Sequence, residues 1–162
     1  ASLARFRYGP GLFKLDLGLS GPIPWTNPDL HETATVHVGG TVDDVARAER
    51  VVAAGYHARE PFLILAQHSR FDPSRAPDGK HTVWVYCHVP NGSTRDMTEA
   101  IERRIERFAP GFRDLVEHRH ASTTADLEAF DANLVGGDVG GGSHGGLQLL
   151  LRPRAQLVRT FD

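Results

Sequence analysis

The sequence predicts an α+β fold, a mixed, largely antiparallel sheet with helices packed on one face. Three patterns carry this expectation. Phe13, Leu15, Leu17 and Leu19 alternate with Lys14, Asp16 and Gly18, the period of two of a strand with one buried face. Residues 61–66 (PFLILA) and 81–89 (HTVWVYCHV) read as strands flanking a turn-rich loop, which suggests an antiparallel pair. Between and after them, two segments repeat apolar residues at helical spacing. Strands and helices that alternate while neighbouring strands pair point to an α+β layer.

In chain order, Gly9-Pro10-Gly11 opens the first strand, and Gly21-Pro22 with Pro24 ends it. A short strand over 34–38 runs into Gly39-Gly40. Thr41 with Asp44 is a capping-box start, after which Val42, Val45, Ala48 and Val52 form one apolar stripe. Arg47, Glu49 and Arg50 fall off that stripe onto a solvated face, and Gly55 is the stop. The nearly continuous apolar run at 61–66 predicts a strand buried on both faces. Residues 81–89, rich in β-branched and aromatic side chains, predict a central strand. Ser93 and Thr94 are the cap candidates for a helix whose buried stripe is Met97, Ile101, Ile105 and Phe108, stopped by Pro110-Gly111. A short helical turn from Phe112 should lead into a strand over 116–121. Ser122-Thr123-Thr124 with Ala125-Asp126 suggests the cap of another short helix reaching Phe130. A glycine-rich run follows over 136–146, then the apolar run 147–151 and a frayed end at Arg152-Pro153-Arg154.

The 162 residues make one domain, 1–162, with ordinary hydrophobic (40%) and charged (23%) fractions for a packed core. A net charge of −2 argues against nucleic acid as a partner, because no positive excess exists to displace counterions from phosphates. The arginines mostly alternate with acids, as over 102–107, the pattern of a solvated helix face. No stretch reaches the ~18 apolar residues of a transmembrane segment. The single cysteine, Cys87, lies in an apolar run and reads as a small buried hydrophobe, consistent with a reducing, cytoplasmic setting.

Several groups could carry chemistry. Gly136, Gly137, Asp138, Gly140 and Gly141 could bring backbone N–H groups close to a cofactor, although the run lacks the lysine and hydroxyl ending of a phosphate loop and on its own reads more simply as a mobile loop or an interdomain crossing. Trp84, Tyr86 and His88 share one face of the central strand and either line an apolar substrate cavity or belong to the core. His118 and His120 would share a strand face, but no carboxylate or cysteine cluster stands near them at ligand spacing, so no metal site is expected. Ser143 and His144 are adjacent, the wrong geometry for a base and its nucleophile.

Five stretches taken together resemble a known family. They are Arg7-Tyr8-Gly9-Pro10-Gly11-Leu12-Phe13-Lys14-Leu15-Asp16, then 71–82 (FDPSRAPDGKHT), then Tyr86-Cys87-His88-Val89-Pro90, then 105–112 (IERFAPGF), and finally Gly136-Gly137-Asp138-Val139-Gly140-Gly141. Their order and content are similar to the phytoene-desaturase-related NAD(P)/FAD-dependent oxidoreductases, in the branch like pyridine nucleotide-disulfide oxidoreductase domain-containing protein 2. The resemblance implies a two-part enzyme, in which a Rossmann-like FAD domain partners a substrate domain largely inserted within it. No glycine fingerprint opens a βαβ unit near the start, and the sequence ends at Asp162, so it corresponds to the middle, substrate-side domain. FAD is then expected in the full-length enzyme and not on this chain alone, which is not expected to be active by itself. The expected partners are the FAD-binding domain of the same polypeptide and an apolar small molecule, held against the flavin for hydride transfer. The resemblance assigns no catalytic residue here. The alternative is a non-catalytic ligand-binding or assembly module, whose exposed sheet could also bring copies together as a homo-oligomer.

Overall fold

A computed structural model describes residues 6–146 and residue 148 of the chain. It contains five strands, β1 (Gly11–Leu19), β2 (Thr35–Val38), β3 (Leu63–Ala66), β4 (His81–Val89) and β5 (Val116–Ser122). Four α-helices accompany them, α1 (Val42–Ala53), α2 (Thr98–Glu106), α3 (Phe112–Leu115) and α4 (Thr124–Phe130). The strands form one open sheet in the order β2-β3-β4-β1-β5. All four pairings are antiparallel, so the α+β class is as the sequence predicts.

Strand alternation divides the sheet into two unlike faces. On one face Phe13, Leu15, Leu17 and Leu19 of β1 meet Val83, Val85, Cys87 and Val89 of β4, with Val36, Val38, Leu63 and Leu65 extending the layer. Ile101 and Ile105 of α2, with Met97 before it and Ala109 and Phe112 after it, close over this face and complete the core. The edge strand β5 is mostly exposed and polar, a composition that discourages pairing with another chain. It is fastened to the helix layer by Arg119, which donates to the buried Glu102 of α2 at 2.5 Å.

The ends of α1 follow from its sequence. Thr41 and Asp44 make the reciprocal capping box, and these hydrogen bonds hold the Asp44 carboxyl below its ordinary range. At the other end Gly55, at φ +86°, donates to Val52 O while Tyr56 donates to Val51 O, the paired bonds of a Schellman cap. The expected stripe is corrected at Val42, which is 85% exposed. Val42 is the first helical residue and precedes the turn in which Val45 reaches the chain at Gly39. β3 is also less symmetric than its apolar run suggests, with Leu63 and Leu65 buried and Ile64 half-buried on the other face.

α2 begins later than Ser93 and Thr94 imply. Its cap position is Met97, and the Asp96 carboxylate accepts from Thr98 N at 2.8 Å. The Ser93 hydroxyl is engaged elsewhere, 2.6 Å from His57 Nε2 and accepting from Arg95 N. The last helix forms as expected, α4 being capped by Thr123 with Asp126 at N3. The apolar run 147–151 and the tail beyond it lie outside the described residues, Gln148 excepted. Among the described residues no helix is long and apolar enough to cross a membrane.

Candidate functional site: an aromatic strip on the open sheet face

The face of the sheet opposite α2 is polar at its margins and aromatic along β4. Its β4 residues are Thr82, Trp84, Tyr86 and His88, all half-buried, whereas Val83, Val85, Cys87 and Val89 between them are buried. A row of side chains two residues apart on a strand stands on one side, so β4 supplies a continuous strip. Trp84 and Tyr86 stack with ring centroids 5.8 Å apart and planes 15° from parallel, and His88 follows at 6.3 Å, tilted by 53°. The sequence thus places all three wall candidates correctly on one face.

Neighbouring strands frame this strip. Asp16 pairs with Trp84 and Lys14 with Tyr86 on one side, and Ala66 and Ile64 pair with the same two residues on the other. Lys14 and Asp16 form an ion pair. Across β1, His120 stands opposite Asp16 and His118 opposite Gly18, so these histidines also share a face. Burial holds the Tyr86 phenol above its ordinary pKa, which keeps it a protonated hydrogen-bond donor at neutral pH. Among the described residues, no three His, Cys, Asp or Glu side chains are grouped so as to hold a metal ion.

Glu49 is the addition that sequence reasoning missed. It was expected on a solvated helix face, but its Oε2 lies 2.8 Å from His88 Nδ1. A carboxylate can only accept here, so Nδ1 carries the proton and a neutral His88 keeps Nε2 as its acceptor atom. The pair spans α1 and β4, and no local spacing signals it.

The glycine run occupies a different place. Gly11 pairs with Val89 on the core side of the sheet, and a side chain at Gly11 would meet Gly136 O at 2.5 Å and Thr124 Cγ2 at 2.7 Å. The chain at Gly136 therefore sits on the side opposite the aromatic strip, at the end of β1, and the two expected groups are not brought together. The amides of this run donate to groups of the protein itself at Gly136, Gly137, Gly140 and Gly142. Gly136 N donates to Glu128 Oε2 at 2.8 Å and Gly137 N to Leu134 O. Asp138, only 3% exposed, accepts from Gly9 N, Gly140 N and Gly142 N at 2.6, 2.7 and 2.8 Å. Asn91 lashes the same loop to the β1 end by donating to Gly9 O and Val135 O. A side chain on Gly136, at φ +62°, would lie 2.1 Å from Asn91 Oδ1, and one on Gly137 2.8 Å from Thr124 Cβ. These glycines are required by close approach of the chain to itself.

Cys87 lies between Tyr86 and His88 in sequence but points into the core. Burial first, and the nearby Glu49 charge second, push its thiol up to about 12. The folded chain at pH 8 should therefore leave a disulfide reagent such as DTNB unreacted for hours, and urea should release one thiol equivalent per chain. Rapid reaction without denaturant would show that β4 opens locally.

Compared with known proteins, no family model matches the chain and no curated protein matches it.

Proposed function

We propose that this chain is the substrate-binding domain of an FAD-dependent oxidoreductase of the phytoene-dehydrogenase-like kind, working from the aromatic face of its sheet. The observation that carries the reading is the stacked Trp84–Tyr86 pair on a face whose residues are half-exposed, ending in a histidine held by a carboxylate. A flat apolar wall of this kind suits an extended apolar substrate, and the reading supplies the function of a face that the core does not need. The family resemblance of the five stretches named above supports the same class.

The flavin, when present, accepts hydride from a substrate C–H bond. This chain offers little that fits the flavin's own diphosphate, because the amides of the glycine run that would cradle an anion already hold the carboxylates of Asp138 and Glu128. The cofactor then belongs to the FAD-binding domain of the same polypeptide, which supplies the wall on the other side of the substrate. Trp84 and Tyr86 hold the substrate flat and keep water from it. The Tyr86 hydroxyl offers one hydrogen bond to any oxygen the substrate carries. Desaturation removes a proton as well as a hydride, and His88 Nε2 is the acceptor that the strip presents, its ring orientation set by Glu49. A cytoplasmic enzyme accords with the single buried thiol.

Titrating FAD into this chain, and into a longer polypeptide that adds sequence at both ends, tests the division of labour. The expected result is flavin retention by the longer polypeptide only. Tight FAD binding by this chain alone would move the cofactor site onto it. If neither binds, a ligand-binding or assembly module becomes the better account.

A further inference from the structure

A second site lies away from the aromatic face, in a cavity of about 390 Å³ between α1, the segment leading into β3, and the end of α2. Its floor is apolar, with Ala48 and Val51 of α1, Ala58, and the Phe108 ring. Its rim is cationic. Arg47, Arg59, Arg104 and Arg107 line it with only two acids, Asp44 and Glu60.

Both acids are engaged. Asp44 accepts from Arg47 at 2.8 Å besides closing the α1 cap. Glu60 accepts from Arg104 Nη1 at 2.7 Å, and Arg104 Nη2 donates to Gly39 O at 2.8 Å. Arg104 is 4% exposed and its Nε has no hydrogen-bond partner, so a cation is buried in the wall with incomplete compensation. Arg59 and Arg107 have no acidic partner among the described residues. The Arg107 guanidinium lies 5.7 Å from the Phe108 ring centroid, and that of Arg104 lies 5.5 Å from the same ring. Stacking on Phe108 pre-orders the exposed Arg107 head, which reduces the entropy lost when it grips a ligand.

From this arrangement we propose that the cavity binds a small amphiphilic oxyanion, a carboxylate or phosphate head on a short apolar stem. The head would sit between Arg59 and Arg107, and the stem would lie along Val51, Ala58 and Phe108. A forked guanidinium pair matches either oxyanion, and the apolar floor excludes a bare inorganic ion as the best occupant. This site is independent of the flavoenzyme reading, since α1 turns Arg47, Ala48 and Val51 to the cavity but Glu49 to His88.

The test is a titration of this chain with octanoate, octyl phosphate, octanol and inorganic phosphate, followed by backbone amide NMR. The expected result is that at least one of the two amphiphilic anions shifts the amides of Val51, Ala58 and Phe108, more strongly than octanol or phosphate at equal concentration. The tighter of the two anions identifies the head group. Arg59→Gln and Arg107→Gln, both at exposed residues, should each weaken that binding about tenfold with the melting temperature unchanged, about 1.4 kcal/mol. Octanol binding as tightly as the anions, no binding by either anion, or variants that bind like the parent would each overturn the proposal.

Discussion

Asp138→Ala should lower the unfolding free energy by about 3 kcal/mol, a fall on the order of 10 °C in melting temperature for a domain of this size. Asp138 is buried and accepts three backbone N–H groups, from Gly9 before β1 and from Gly140 and Gly142 in the glycine run. Each is a charge-assisted bond, and truncation removes all three, two of them at buried sites. Asp138→Asn should recover part of the loss, because its amide oxygen can accept from Gly9 N and Gly142 N while its amide nitrogen faces the Gly140 donor. Thermal melts of the two variants measure this directly. The same pair separates two roles for the glycine run. A large loss of stability means that the carboxylate fastens the ends of the sheet, whereas unchanged stability with lost flavin retention in the longer polypeptide would make it part of a cofactor site.

The second large effect concerns the strip. In the flavin-loaded longer polypeptide, Trp84→Ala or Tyr86→Ala should lower kcat/KM for an apolar polyene by about 30-fold, mostly through KM. A substrate that covers ~80 Å² of one ring gains about 2 kcal/mol at about 25 cal/mol per Å². Because both residues are half-exposed, the melting temperature should fall much less than for a core truncation such as Leu15→Ala, a residue with no exposed surface. His88→Gln tells binding from proton transfer, since it should reduce kcat with KM nearly unchanged. If Trp84→Ala unfolds the chain while kinetics in the residual folded fraction are preserved, the strip is structural and the substrate lies elsewhere.

Local chemistry was readable from the sequence wherever the structure is local. The alternation over 13–19 shows as alternating burial, and the Thr41–Asp44 capping pair, the cap within 122–126 and the Gly55 stop all correspond to bonds made within a few residues. The face shared by Trp84, Tyr86 and His88 follows from the strand period alone. What escaped depends on distant partners. Ser93 is a good cap by residue type, but His57 reaches it from another segment and α2 starts at Thr98 instead. Glu49 has the spacing of a solvated residue and nothing in its neighbourhood announces His88. The glycines at 136 and 137 signal close approach without saying to what, and the answer is Asn91 and Thr124. The cationic cavity gathers arginines that, taken singly, each resemble an ordinary surface charge.

The position of β1 also sets an order of events during synthesis. Of the five described strands, the first made is the one that ends between the last two, hydrogen-bonded to β4 on one side and β5 on the other. While residues 20–80 are still being added, at roughly 5–20 residues per second, neither β4 nor β5 exists to pair with it. For roughly 3–12 s β1 therefore waits without either of its partner strands. Pro10 just before it and Lys14 and Asp16 on its polar side are the features that oppose premature pairing with another chain during that interval.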